Sequence, residues 1–182
     1  WQYLLDTQKI GKLPAEQMNT IEPGQTKTFG DLDVTAFATS HDAAEPQYYV
    51  FTSGGKRIVF LTDTGYVSEE VEGTIEDADA YMMEFNYDTM MLRDGPYSWS
   101  LKQRILSDVG HLSNDEAAQA LVDVVTPKTK HIFLAHRSQH NNTEYLAHET
   151  AKEMLIEGDA NLSDDVQIID TEPASPTKLI EI

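Results

Sequence analysis

Apolar and polar positions alternate along the first half of the chain with a period of two, broken at short intervals by glycine and proline. That is the signature of half-buried strands joined by tight turns. Strands are predicted over 26–29, 32–39, 47–52 and 58–61, where β-branched and aromatic residues dominate. Glu22-Pro23-Gly24-Gln25 reads as a type II turn, because proline presets the first central residue and glycine accepts a positive φ at the second. Ser53-Gly54-Gly55-Lys56 reads as a hairpin turn, so this half is expected to be an antiparallel meander.

After Asp63 the period changes. Helices are predicted over 68–76 and 98–107, with Tyr81-Met82-Met83 a buried strand between them. Ser113 and Glu116 form a capping-box pair, and Ala117, Ala118, Leu121, Val122 and Val125 then trace one helical face. His131-Ile132-Phe133-Leu134-Ala135 is a short apolar strand. A helix over 142–157 turns Ala147, Ala151, Met154 and Leu155 inward and stops at Gly158. Final strands are expected over 167–170 and 178–182, whereas the stretch 1–13 has no clear strand pattern. Strands followed by helices alternating with strands give a mixed α/β (α+β) class, with helices layered on a sheet.

At 182 residues the chain has the size of one domain, and 1–182 is read as a single unit. It contains no cysteine, which excludes disulfides, zinc-thiolate sites and a cysteine nucleophile; any metal must be held by nitrogen and oxygen. No apolar run is long enough to span a membrane and no signal-peptide pattern is seen, so a cytoplasmic, membrane-free protein is expected. The formal net charge of -18 disfavours nonspecific nucleic-acid binding, although a divalent metal would reverse the potential locally. Nothing in the sequence sets an oligomeric state.

The chemistry enters through a recurrence. Three β-like segments end on a metal-competent side chain: 35–39 on His41, 58–62 on Asp63, and 132–135 on His136. Rigid scaffolds place functional groups at strand ends, and two imidazoles with a carboxylate suit Zn, Mn or Fe. Asp63-Thr64-Gly65 also has the form of an aspartic-protease triplet, but that chemistry needs two such carboxylates and the chain has one. A phosphoacceptor aspartate is disfavoured as well, since the accompanying acidic pair and lysine are not found. His111 lies just ahead of the capped helix, where it would feel the positive helix end and could act as a general acid. His131, His140 and His148 are read as structural or solvent-facing.

Taken together, Phe29-Gly30-Asp31-Leu32-Asp33, Ser40-His41-Asp42-Ala43-Ala44, 61–68, the run 104–114 ending in Gly110-His111-Leu112-Ser113-Asn114, and Leu134-Ala135-His136 with Ser138, Asn141 and Asn142 resemble the YycJ-like (WalJ-like) family of metallo-β-lactamase-fold hydrolases. The resemblance implies part of an αββα sandwich. It also implies His41 as a ligand of a first metal, Asp63 as the bridge, His136 as a ligand of the second, and His111 as a histidine acting at the leaving group. Two divalent ions, Zn or Mn, and a DNA substrate cleaved from 5′ to 3′ follow from the same likeness. A small phosphodiester or ester as substrate, or a noncatalytic domain that binds a partner, are the competing readings.

The family's His-x-His-x-Asp-His signature is absent from these 182 residues. Trp1, in place of methionine, fits a portion of a longer chain whose preceding segment supplies those ligands. On this reading the chain alone holds few or no metal ions tightly and is inactive. Tyr87 stands where relatives often carry histidine, and no role is assigned to it.

Overall fold

A computed structural model describes residues 13–158 and 160–182; the unpatterned stretch 1–12 lies outside the described residues. Among the described residues seven strands form one sheet in chain order: β1 (Thr26–Phe29), β2 (Leu32–Ala38), β3 (Gln47–Ser53), β4 (Lys56–Leu61), β5 (Ala80–Glu84), β6 (His131–Ala135) and β7 (Gln167–Asp170). The first four pair antiparallel, and β4 to β7 pair parallel. The expected turns set the meander's register. Gly24 has φ +83° with the Gln25 amide bonded to the Glu22 carbonyl at 2.9 Å, and Gly54 and Gly55 both have positive φ in the two-residue turn that pairs Ser53 with Lys56.

Parallel neighbours require crossovers, and helices supply them. Helix α1 (Glu69–Ile75) links β4 to β5, α4 (Asn114–Val124) precedes β6, and α5 (Glu144–Lys152) links β6 to β7. Their inward residues, among them Ile75, Ala117, Leu121, Ala147 and Ala151, pack on Val59, Leu61, Tyr81, Met83, Ile132 and Leu134 of the sheet. The Ser113–Glu116 capping box is formed on both sides and fixes where α4 begins. On the opposite sheet face Tyr49, Phe51, Ile58 and Met82 are only half-buried and Phe60 is 39% exposed.

Two helices, α2 (Thr89–Asp94) and α3 (Trp99–Ile105), sit beyond the end of β5 and enclose a satellite core of Tyr87, Leu92 and Ile105. Helix α2 was not expected from the sequence. It is six residues long and capped by Asp88, whose carboxylate accepts from the Met91 amide, so it carries less than two turns of periodicity. The helix predicted over 142–157 begins after Thr143 as cap, and its last turn, Glu153–Glu157, winds as a π-helix. The final strand predicted over 178–182 does not form: those residues adopt no regular structure, and among the described residues β7 pairs with β6 alone. Alternation made the segment competent for a strand, but a strand also needs a neighbour to take its hydrogen bonds.

Candidate metal centre

Strands β2, β4, β5 and β6 all point their C-terminal ends to one rim of the sheet, and in open α/β sheets that rim is where ligands bind. Each of the three strand-end residues expected from sequence lies there. Asp63 Oδ1 stands 3.6 Å from His41 Nε2 and 3.6 Å from His136 Nε2, between the two imidazoles. His111 joins them, its Nδ1 lying 3.8 Å from the same oxygen and its ring 5.0 Å from His41 and 5.3 Å from His136. No second carboxylate of an Asp-Thr-Gly pair adjoins Asp63 among the described residues, so the shared-proton arrangement of an aspartic protease is not built.

The fourth strand end was overlooked. Glu84, the last residue of β5, is fully buried and accepts four hydrogen bonds. Its Oε2 receives His136 Nδ1 at 2.5 Å, His111 Nδ1 at 3.0 Å and the Asp63 amide at 3.1 Å, while Oε1 receives the Leu112 amide at 2.9 Å. The strand-end rule applied to 58–62 and 132–135 picks out Glu84 equally well, since Tyr81-Met82-Met83 is an apolar strand that ends on it. Asn86 adds a bond from its amide nitrogen to the His136 carbonyl at 2.8 Å.

These contacts fix which nitrogen each histidine offers. His41 Nδ1 is 2.8 Å from the Gly110 carbonyl, which can only accept, so the proton sits on Nδ1 and Nε2 carries the lone pair. Glu84 does the same for His111 and His136. Tying down one ring nitrogen is how proteins orient imidazole ligands toward a metal. Donor atoms of Asp63, Glu84, His111 and His136 lie within 4.8 Å of one another. Glu84 is saturated by donors, which makes it the anchor of the group rather than a ligand. The nitrogen and oxygen set turned toward the rim fits a divalent transition metal.

Backbone geometry holds the loops together. Asp63 and His136 have φ +58° and +53°, a left-handed conformation that turns each chain sharply at its strand end. A Cβ on Gly65 would lie 2.2 Å from the Asp108 carbonyl, and one on Gly110 would lie 2.2 Å from the Ile105 carbonyl. The glycine of Asp63-Thr64-Gly65 is therefore needed for close approach to the loop carrying His111. Ser40 Oγ donates to the Asp108 carbonyl at 2.7 Å, and Arg104 forks onto Asp42, so the His41 loop is tied to the same segment.

Burial pushes the Glu84 carboxyl up, but bonds from His111 and His136 outweigh it and hold it at about 2. The bond to Glu84 in turn raises His136, against the opposing effect of burial. The signs give a window. Glu84, depressed on folding, stabilises above its ordinary value of 4.5 and loses that effect as pH falls toward about 2. His136, raised on folding, stabilises below its ordinary value of 6.5 and loses that effect as pH rises through its folded value. The metal-free chain is thus expected to gain most from this pair between 4.5 and 6.5, read as a difference in melting temperature between wild type and Glu84→Gln that narrows on both sides.

The centre opens into a cleft of about 1140 Å³ whose lining includes Tyr97, Leu101, Arg104, Arg137, Ser138 and His140. His140, read from sequence as an ordinary loop residue, borders this cleft. His148 is paired with Asp170 at 2.6 Å and His131 opens β6, both away from the centre. No helix among the described residues is long and apolar enough to cross a membrane.

Comparison with known proteins places this arrangement in context. A family model described as a β-lactamase superfamily domain matches residues 2–136. The chain is 46% identical over 182 residues to a protein named exodeoxyribonuclease WalJ from Streptococcus pneumoniae, covering all of this chain and 68% of that protein. It is 46% identical over 170 residues to exodeoxyribonuclease YycJ from Bacillus anthracis, covering 93% of this chain and 64% of that protein. Among solved structures, the metallo-β-lactamase fold protein YhfI from Bacillus subtilis matches with a TM-score of 0.60 at 17% identity, over 84% of this chain and 50% of that one. The chain therefore spans about two thirds of these curated relatives and half of the solved structure.

Proposed function

The chain belongs to the β-lactamase superfamily with a metallo-β-lactamase fold, and from that premise we propose that it is part of a cytoplasmic, metal-dependent phosphodiesterase that removes nucleotides from DNA in the 5′-to-3′ direction. The observation that carries this reading is Asp63 Oδ1 at 3.6 Å from each of two histidine Nε2 atoms, in a chain whose relatives are named exodeoxyribonucleases. His41 would serve a first ion and His136 a second, with Asp63 between them. Two divalent ions, Zn or Mn, bound there would supply Lewis-acid stabilisation of the phosphodiester and activation of water near neutral pH.

The protein's own residues prepare the rest. Glu84 holds the His111 and His136 rings in the tautomer that leaves Nε2 free. Nε2 of His111, free in that tautomer and not required as a strand-end ligand, would take up a proton and, from the imidazolium so formed, pass it to the departing oxygen while Nδ1–H stays on Glu84.

His41, Asp63 and His136 give each ion one imidazole and a shared carboxylate, short of the three or four protein ligands of a stable site. We read 1–182 as one domain whose remaining ligands come from chain outside it, which accords with the 68% share of the WalJ relative's length. The 182-residue chain alone is expected to show no phosphodiester turnover with Zn²⁺ or Mn²⁺. A protein of the relatives' full length should release nucleotides from 5′ ends, seen by sizing 3′-labelled products. Turnover by the 182-residue chain that is lost with chelator and with Asp63→Ala would overturn the division of the site.

A further inference from the structure

We propose that Arg104 is a positioning residue that keeps Asp42 out of the metal centre, so that an ion held by His41 takes its carboxylate from Asp63 and not from the residue beside the histidine. The proposal rests on the metal-centre reading above and names what decides between the two carboxylates.

His41 Nε2, the nitrogen left with the lone pair, has two carboxylate oxygens at almost equal range: Asp63 Oδ1 at 3.6 Å and Asp42 Oδ1 at 3.7 Å. Two ligands of one tetrahedral zinc ion, each about 2.1 Å from it, stand about 3.4 Å apart, so distance alone does not choose between them. The consequences differ. Asp63 Oδ1 is also 3.6 Å from His136 Nε2 and is able to serve both ions, whereas among the described residues the ion pairs of Asp42 are with His41 and Arg104 alone. An ion that also took Asp42 would carry an additional anionic ligand. Its charge would be partly neutralised, and with it the Lewis acidity on which the chemistry depends.

The backbone does not remove Asp42 from this contest. Its amide donates to the Val109 carbonyl at 3.1 Å, and the neighbouring His41 is held at Gly110, so the residue stays at the rim and only its side chain is left to choose a partner. Arg104 of α3 makes the choice. Its Nε and Nη2 grip the carboxylate side-on, and the oxygen that Nη2 takes, Oδ1 at 2.7 Å, is the one that faces His41. Two parallel bonds fix direction as well as charge. Both side chains are partly exposed, 49% for Arg104 and 33% for Asp42, and an ion pair so placed contributes little to folding. Its bearing is on the carboxylate it occupies.

The test uses the full-length protein loaded with Co²⁺, whose visible absorption weakens as the ion gains ligands, and compares wild type, Arg104→Met, Asp42→Asn and the double variant. Arg104→Met keeps the unbranched stem and frees Asp42; it is expected to weaken the absorption and to slow hydrolysis of labelled DNA about 10-fold. Asp42→Asn has no anionic oxygen to offer and should match wild type in spectrum and, within about twofold, in rate. Adding Asp42→Asn to Arg104→Met should restore both. If Arg104 only clamps the loop, Asp42→Asn breaks the same fork and shares the loss, and the double variant is no better than Arg104→Met. That pattern overturns the proposal, as does a wild-type spectrum for Arg104→Met. Absence of DNA hydrolysis by wild type would overturn the nuclease reading instead, and the Co²⁺ spectra would still decide where Asp42 belongs.

Discussion

Asp63→Asn in the full-length protein is expected to lower phosphodiester hydrolysis on the order of 10³-fold while the fold and melting temperature stay close to wild type. Asparagine tolerates the φ of +58° at this position and keeps the side-chain volume, so the change is confined to charge. What is lost is the anionic oxygen that lies 3.6 Å from both imidazoles. Several kcal/mol of transition-state charge stabilisation depend on metals held at such a site, and each ~1.4 kcal/mol is about tenfold in rate. Steady-state hydrolysis of a labelled oligonucleotide, with metal content measured on the same sample, checks this. A variant that retains both metals and most of its rate would remove Asp63 from the bridging position.

Glu84 should be the second most sensitive position, for a different reason. Glu84→Ala leaves the Leu112 amide and two imidazole N–H groups without their acceptor in a fully buried site. Breaking a buried charged pair from one side costs about 3–5 kcal/mol, a large share of a domain's stability. Glu84→Gln keeps the volume but turns an N–H₂ toward donors, so it is expected to fold and to lower metal affinity about 10–100-fold, as does loss of other partners that orient metal-bound histidines. Denaturant unfolding of the alanine variant and chelator competition for the glutamine variant separate the two effects. If the glutamine variant binds metal as tightly as wild type, Glu84 supports the fold alone.

The contrast between these two residues explains how much of the site could be read from sequence. Asp63, His41 and His136 announced themselves because each interrupts a run of apolar residues at a strand end. Glu84 obeys the same rule, but the next stretch, Glu84-Phe85-Asn86-Tyr87-Asp88, drew the comparison with relatives toward Tyr87. Its importance comes from burial and from four donors converging on it, and convergence is a property of the folded sheet. The Tyr97–His140 ring pair at the cleft was also hidden: the two residues lie 43 positions apart, in a loop before α3 and a loop after β6. The regular elements fared better because capping and turn chemistry are local, as at Ser68, Ser98 and Ser113, each of which caps its helix. Where local pattern lacked a partner, at 178–182, or length, at α2, it misled or stayed silent.

The left-handed backbone at Asp63 and His136 bears on which amino acids such a rim can carry at all. Outside glycine, aspartate, asparagine and histidine are the residue types enriched severalfold in that conformation, while β-branched and bulky side chains avoid it. Two of those three are also metal ligands. The sharp exit from β4 and from β6 thus acts as a filter on the alphabet, admitting at these two positions a set of residues already biased toward coordination chemistry. The same architecture that ends a strand abruptly makes a metal centre an accessible outcome of few substitutions.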